Sequence, residues 1–539
     1  MRDYRDAYES FSLDRLESEI LIGSRANGIN ACVECCDRWA GDERIALNWV
    51  SRDFDIHRMS FATLRDEAAR FANLLTAHGI GIGDTVAGLL PKIPELLTVI
   101  LGTWRVGAVY QALFTAFGPE GIESRVCGAT GSGAKLIVTD TANLPKLAGV
   151  KDCPPALVID RGQPGKTDFA AEMAAQSTVF EPVMRMGDDP FITIYTSGTT
   201  GNAKGVAVPL WGLLQFAEFH RDGMDVRDDD VFWGFADPGW ALGLYASLTG
   251  PLLMGQAATL YDGPFSVEST VRVIRDLGVT NLLAAPTVFR MLRAAGDEIV
   301  APIARQLRRI TSGGEPVNPE IVQWAERVLH CPLGEVWGQT EMGVVTCNHH
   351  GLRHPPRTGS VGLASPGLTF AILDDRLNPV PPGEVGVMAV DRDRSPLFFF
   401  TGYSSAATPS FQGHWYLTGD TMRQDEDGYF YFIGRNDDII TSAGYRIGPS
   451  DIEGVLISHP AVAEVAVIGK PDPERTEIVK AFVVLRAGHN GSPGLTEELQ
   501  QMVRTRLAAH SYPREIDYVA EMPKTPSGKV QRFLLRRQA

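Results

Sequence analysis

Cysteine is scarce in this sequence and comes in an odd number: Cys32, Cys35, Cys36, Cys127, Cys153, Cys331 and Cys347 are the only seven in 539 residues. Such a scattered set suits reduced thiols in a cytosol rather than a disulfide framework, so a cytoplasmic protein is expected. Cys32-x-x-Cys35 has the spacing of half a zinc site, but no second pair or His-x-His partner follows, and buried thiols are expected there. Positive charge is also short. The net charge of −15 argues against nucleic acid as the main partner, because phosphate backbones need basic surfaces. There is no internal repeat and no low-complexity run. The N-terminus (Met1-Arg2-Asp3-Tyr4) lacks a signal-peptide apolar core, and its acidic residues do not suit a transit peptide. One stretch, Trp240 to Tyr261, runs for 22 residues without a charge, long enough to span a bilayer. Its three Gly and one Pro, and the flanking Asp237 and Asp262, point instead to a buried segment with an internal break, so no membrane span is expected.

What is present is an ordinary globular composition, 44% apolar and 21% charged, in a chain too long for one core. Phe61 to Ala77 carries Leu64, Ala68, Phe71 and Leu75 on one helical face. Val86–Leu90, Leu136–Thr139 and Ala156–Ile159 read as buried strands. Strands alternating with helices predict an α/β architecture: a large N-terminal domain of mixed sheets with flanking helices, residues 1–434, and a small mobile α+β domain, residues 435–539. The boundary is placed at Gly434-Arg435-Asn436-Asp437. Beyond it, two strands flank a Ser-Ala-Gly turn, and Ser450-Asp451-Ile452-Glu453 reads as a capping box opening a helix. Strands at Val465–Ile468 and Ala481–Leu485 and a helix through Leu499, Val503 and Leu507 follow.

The strongest local signal is Thr196-Ser197-Gly198-Thr199-Thr200-Gly201-Asn202-Ala203-Lys204-Gly205. Its first six residues are all hydroxyl-bearing or glycine, and their amides and hydroxyls, with Lys204, can surround phosphate oxygens. It is not a Walker A motif, since Gly-Lys-Ser/Thr is missing. Strands at Phe191–Tyr195 and Gly205–Val208 make it a hairpin loop. The loop resembles the phosphate-binding signature of the AMP-forming synthetases, the superfamily of acyl-CoA synthetases, nonribosomal-peptide adenylation domains and luciferases. Five further motifs resemble that family in order: Ser312-Gly313-Gly314-Glu315-Pro316, Trp337-Gly338-Gln339-Thr340-Glu341-Met342-Gly343, Tyr416-Leu417-Thr418-Gly419-Asp420, Gly434-Arg435-Asn436-Asp437-Asp438 and Pro526-Ser527-Gly528-Lys529-Val530. The resemblance covers nearly the whole chain.

It implies a two-step reaction. ATP adenylates a carboxylic acid, and coenzyme A then takes the acyl group as a thioester. ATP, coenzyme A and the acid are all anions, so local donors must hold them against an acidic global field. By resemblance, Thr196, Ser197, Gly198, Thr199, Thr200, Gly201 and Lys204 grip the polyphosphate, and Gly314, Glu315 and Pro316 with Gln339 form the adenine side. Thr340 bonds a phosphate oxygen, Glu341 holds Mg²⁺, Asp420 accepts the ribose hydroxyls, and Arg435 assists there. Arg446 reaches phosphate after the small domain turns about Asp437, and Lys529 is the adenylation lysine. Gly444 passes the pantetheine arm, and Arg504 is a candidate for a coenzyme A phosphate. Lys529 lies in a Ser-Gly-Lys loop, so a lysine acetyltransferase and deacylase acting on it are implied partners; acetylation would remove the charge. No oligomeric state is implied.

Closer similarity is to acetyl-CoA and medium-chain acyl-CoA synthetases. Ala236-Asp237-Pro238-Gly239-Trp240 resembles their acyl-pocket element. Acetyl-CoA synthetases carry a pocket-blocking Trp where this chain has Gly338, and Ala241, Leu242 and Gly313 match other pocket positions. An open pocket gains about 0.8 kcal/mol per buried methylene, so a short- to medium-chain or branched acid is expected, with an aromatic acid as an alternative. A second alternative passes the acyl group to a carrier-protein phosphopantetheine; no carrier domain follows Lys529, which favours free coenzyme A. A nucleotide- or acyl-sensing protein without catalysis is the non-enzymatic rival, opposed by Lys529, Glu341 and Asp420.

Overall fold

The computed structural model describes residues 1–127, 130–159, 169–197, 203–404, 406–442, 445–473, 475–507, 511–524 and 530–539. Two compact units emerge, Met1–Thr369 with Arg392–Pro409, and Phe370–Asp391 with Ser410–Ala539.

Two six-stranded sheets dominate the first unit among the described residues. One runs in the order Ala156–Ile159, Leu136–Asp140, Thr85–Leu89, Val109–Ala112, Pro190–Ser197, Ala203–Pro209. Its first five strands are parallel and the last is antiparallel. The central strands are mostly apolar and buried, with Val86, Ala87, Val109, Tyr110, Ile137 and Val138 in the core and Gln111 and Thr139 among their few buried polar residues. The helix Phe61–Ala77 starts where its sequence pattern begins, with the Ser60 hydroxyl accepting from the Thr63 N–H, and buries Leu64, Ala68, Phe71 and Leu75. The second sheet runs Phe232–Gly234, Asn281–Ala284, Arg309–Gly313, Leu333–Gln339, Gly343–Cys347, Leu363–Ala364. Four parallel strands are followed by the antiparallel turn-back at Gly343–Cys347. A buried cluster including Phe289, Leu282, Ile310, Ile321 and Trp324 packs this sheet against its helices.

The charge-free stretch Trp240–Tyr261 breaks inside, as its glycines suggest. Gly243–Thr249 winds as a π-helix, Gly250–Leu253 as an α-helix, and Ala258–Tyr261 is a strand beside Ile45–Val50. Among the described residues no helix is long and apolar enough to cross a membrane. Cys32, Cys35 and Cys36 are fully buried, and burial pushes all three thiols up. Arg105 reaches both the Cys32 sulfur (3.6 Å) and the Asp37 carboxylate (2.7 Å). Among the described residues no group of three or more His, Cys, Asp or Glu is placed to hold a metal ion.

The second unit contains an antiparallel sheet of Phe370–Leu373, Val385–Asp391, Trp415–Gln424, Phe411–Gln412 and Phe430–Arg435. Its other sheet is built from Tyr445–Ile447, Ile440–Ser442, Thr476–Leu485, Val462–Asp472 and Glu515–Tyr518. Gly434 and Arg435 end the Phe430–Arg435 strand of the first sheet, and Asn436 and Asp437 follow it in the chain before the second sheet begins at Ile440. Ile452, Leu456, Val467, Val483, Leu499 and Val503 form the core of the small fold that follows. Leu507 is instead 40% exposed at the end of its helix.

One sequence expectation is corrected here. Ser450 does not cap its helix: Gly448 is the N-cap, Pro449 takes the first helical position, and the cap has no side-chain hydrogen bond. Proline suits that position because its missing N–H has no partner to lose, so the helix begins one residue before the expected cap. Glu453, the expected box partner, accepts instead from the Val467 N–H at 2.8 Å and from Arg532 at 2.7 and 2.8 Å.

Candidate active site

The first unit gathers three of the expected nucleotide residues through a single hairpin. Pro190–Ser197 and Ala203–Pro209 pair antiparallel, with Thr196 opposite Lys204 and Ser197 opposite Ala203. Thr196, Ser197, Ala203 and Lys204 therefore close the paired ends of the two strands that flank the hydroxyl- and glycine-rich motif. Gly198, Thr199, Thr200 and Gly201 lie outside the described residues. Lys204 rises from the return strand with its ammonium 5.1 Å from the centroid of the Tyr403 ring.

Tyr403 also ties in Glu341. Its hydroxyl donates to Glu341 Oε1 at 2.7 Å, a length typical of a hydroxyl held by a carboxylate. Gln339-Thr340-Glu341-Met342 forms the turn between Leu333–Gln339 and Gly343–Cys347, closed by the Met342 N–H donating to Gln339 O at 3.1 Å. The Tyr245 hydroxyl donates to Thr340 O at 3.2 Å. Tyr245 stacks on Phe216 with ring centroids 4.5 Å apart, and Phe399 packs edge-on to both rings. Burial, reinforced by the negative Glu341, pushes the Tyr245 phenol well up, so it stays a donor. Glu341 itself is only 8% exposed. A single nearly buried carboxylate fits magnesium, which takes one or two protein carboxylates and fills its other positions with water and substrate phosphates.

Glycine shapes the neighbouring turn. Arg309–Gly313 ends at Gly314, whose φ of +91° favours glycine. Glu315 follows, accepting from the Thr287 hydroxyl at 3.1 Å and pairing with Arg290. Pro316 is exposed.

The expected acyl residues divide between two apolar clusters. Trp240 packs on Phe114 and Phe117 at centroid distances of 5.3 and 5.6 Å. Leu242 packs with Phe219, Val336 and Val344. Ala241 lies between them in sequence and is half-buried; Gly313 is buried, with Val336 filling the space a Cβ would need. Gly338 sits at a β-bulge between Trp337 and Gly338, where a Cβ would collide with the Gly343 carbonyl oxygen. A side chain at 338 would therefore require the Gly343 backbone to shift.

In the second unit, Asp420 and Arg435 face each other across Trp415–Gln424 and Phe430–Arg435. The Arg435 guanidinium donates to Asp420 Oδ1 at 3.1 Å and approaches Asp437 at 3.5 Å. Partial burial works against the Arg435 charge, but the two carboxylates outweigh it and raise its pKa. Asp420 is 4% exposed. The backbone of Arg446 pairs with Thr441 in the small sheet. Arg504 lies 3.8 Å from the Tyr512 ring centroid, and its hydrogen bond pulls the Tyr512 phenol down. It also borders a shallow cleft of about 550 Å³ with Ser492, Thr496 and Tyr518. Gly444 and Lys529 lie outside the described residues. Of the basic residues near Lys529, Arg532 pairs with Glu453 and Asp438, Arg536 with Asp438, and Lys524 with Glu464, so these form a network rather than a solvated tail.

Tyr403, Tyr245 and Glu335 went unnoticed in the sequence. Tyr403 closely follows an apolar run, Leu397 to Phe400, that reads as core. Glu335 lies inside a strand, accepts from the Val317 N–H at 3.0 Å, and is pushed up to about 8 by burial.

The profile of the AMP-binding enzyme family matches residues 36–403, and that of the AMP-binding enzyme C-terminal domain matches residues 451–529. Acetyl-coenzyme A synthetase of Bacillus subtilis is 35% identical, covering 99% of this chain and 95% of its own. The mitochondrial acyl-coenzyme A synthetase ACSM5 of Homo sapiens is 34% identical, covering 92% of this chain and 86% of its own. Among solved structures, an acyl-CoA synthetase of Brucella canis is 52% identical with a TM-score of 0.81, covering 100% of this chain and 99% of its own. An anthranilate CoA ligase in complex with anthranoyl-AMP is 26% identical with a TM-score of 0.84, covering 95% of this chain and 97% of its own. The chain belongs to the AMP-binding enzyme family, among its AMP-forming acyl-CoA synthetases.

Proposed function

We propose that this ligase activates a short- to medium-chain or branched carboxylic acid as its acyl-adenylate and transfers the acyl group to coenzyme A. The observation that carries the nucleotide half is the clustering of Lys204, Tyr403 and Glu341 beside the root of the hydroxyl-rich hairpin. A carboxylate is a poor acylating agent because hydroxide leaves badly. Its oxygen attacks the α-phosphorus of ATP, the bond to pyrophosphate breaks, and AMP becomes the new leaving group. The thiolate of coenzyme A then attacks the acyl carbon and AMP departs. Both steps crowd anions together, so the protein contributes positioning and charge.

In this reading Thr196 and Ser197 with Lys204 orient the polyphosphate, and Glu341 with Thr340 serves Mg²⁺ and phosphate. Bound magnesium would supply positive charge to the phosphate oxygens. Gly314, Glu315, Pro316 and Gln339 frame the base, and Asp420 with Arg435 receives the ribose. Lys529 supplies the adenylation cation, Asp437 the hinge between residues 1–434 and 435–539, and Arg446, Gly444 and Arg504 serve the later step.

A second reading, an aromatic acid, is favoured by the Trp240, Phe114 and Phe117 wall. The test is ATP–pyrophosphate exchange, then thioester formation, with acetate, butyrate through octanoate, isobutyrate and benzoate. The first reading expects kcat/KM to rise from acetate to the longer acids. Preference for acetate refutes it, preference for benzoate selects the second reading, and no exchange with any acid refutes both. Lengthening the acid is a more direct probe than Gly338→Trp, which would also require the Gly343 backbone to shift.

A further inference from the structure

The side chain that joins the nucleotide residues of the first unit is one to which the reading above gives no role. Tyr403 sits on a segment fastened to the return strand of the phosphate hairpin. Tyr403 forms a bridge with Val206, and the Ser404 N–H donates to Gly205 O at 2.9 Å. The Tyr403 N–H donates to the Thr408 hydroxyl at 3.0 Å, and its ring packs on Phe400 at 5.0 Å. Backbone and ring are thus both fixed, and the hydroxyl and the ring face have one direction each.

We infer that Tyr403 is a positioning residue, holding the Glu341 carboxylate by its hydroxyl and the Lys204 ammonium by its ring so that acid and cation are presented to Mg·ATP at a set separation. The inference rests on the reading that Glu341 serves the metal. The chemistry of the partner matters. A hydroxyl orients one carboxylate oxygen and leaves the negative charge in place, whereas an arginine there would cancel it. An aromatic face holds an ammonium without removing its charge or giving it a carboxylate to collapse onto. Without Tyr403, Lys204 and Glu341 could pair directly, and each would be lost to the nucleotide.

Two variants separate the two contacts. Tyr403→Phe keeps the ring under Lys204 and removes the hydroxyl from Glu341; Tyr403→Leu removes both. Binding of Mg·ATP, of ATP in EDTA, and of AMP in EDTA is measured by calorimetry on the full chain, with Glu341→Gln as reference. Tyr403→Phe is expected to weaken Mg·ATP about tenfold, the lower end for one charge-assisted hydrogen bond, and to leave metal-free ATP and AMP unchanged. Tyr403→Leu is expected to weaken metal-free ATP as well, by about threefold. The inference is overturned if Tyr403→Phe binds Mg·ATP as the wild type does, or loses Mg·ATP and AMP affinity in equal proportion, the mark of a merely structural role. Should Glu341→Gln itself bind Mg·ATP normally, the metal reading fails and takes the inference with it. If Glu341→Gln weakens binding and Tyr403→Phe does not, the inference alone is refuted.

Discussion

Glu341 in the first unit and Asp420 in the second are both nearly buried acids, yet their partners differ in kind. Glu341 is met by a neutral hydroxyl from Tyr403, while Asp420 is met by the guanidinium of Arg435. A neutral donor orients a carboxylate and leaves its charge to attract a cation. A charged donor spends that charge and leaves lone pairs for neutral hydroxyls. The same functional group is thus prepared for a metal in one place and for a sugar in the other. Glu335, six residues before Glu341, shows a third outcome: it accepts from the Val317 N–H, and burial keeps its proton on.

The largest effect should come from that third acid. Folded Glu335 keeps its proton up to about pH 8, against a reference carboxyl of 4.5. The native state therefore binds more protons than the unfolded state between those values. Stability falls as pH rises through that window and levels off above it. Denaturant unfolding should show the stability of Glu335→Gln relative to wild type growing by about 3 kcal/mol from pH 5 to pH 8. A gap that stays constant would show that Glu335 does not hold its proton above the usual carboxyl range.

Next in size is Glu341→Gln, expected to lower kcat/KM for pyrophosphate exchange by about 100-fold, because the charge available to magnesium is gone. Asp420→Asn should do less, raising KM for ATP about tenfold with kcat within about twofold, the loss of one charged acceptor. If Asp420→Asn were the more damaging of the two, or acted on kcat rather than KM, the contrast between metal acid and sugar acid would be wrong.

Much of the frame was legible in the sequence because its signals are periodic or local. The helix Phe61–Ala77 and the strand Ala156–Ile159 end where pattern and cap residues say they should. The hairpin around the phosphate motif was equally plain, since two apolar runs flank a glycine-rich loop. The helix start at Pro449 was misjudged because a Ser-x-x-Glu pattern looks the same whether or not a proline has already begun the turn. Tyr403 was invisible for another reason. It lies 62 positions from Glu341, and only the folded sheet brings its hydroxyl there. Gly338 carries two meanings that the sequence shows as one. Its sequence context suggested an emptied pocket, while the bulge gives the backbone its own claim on glycine.

The strand Ala203–Pro209 closes one side of its sheet, with Pro190–Ser197 as its sheet neighbour. An open β edge invites stray pairing with other chains, and the bridge from Val206 to Tyr403 covers part of this one. The segment that shields the rim therefore also carries the tyrosine reaching Glu341. Damage to it would surface as clumping in the test tube and as weakened nucleotide handling at once, two defects with a common origin.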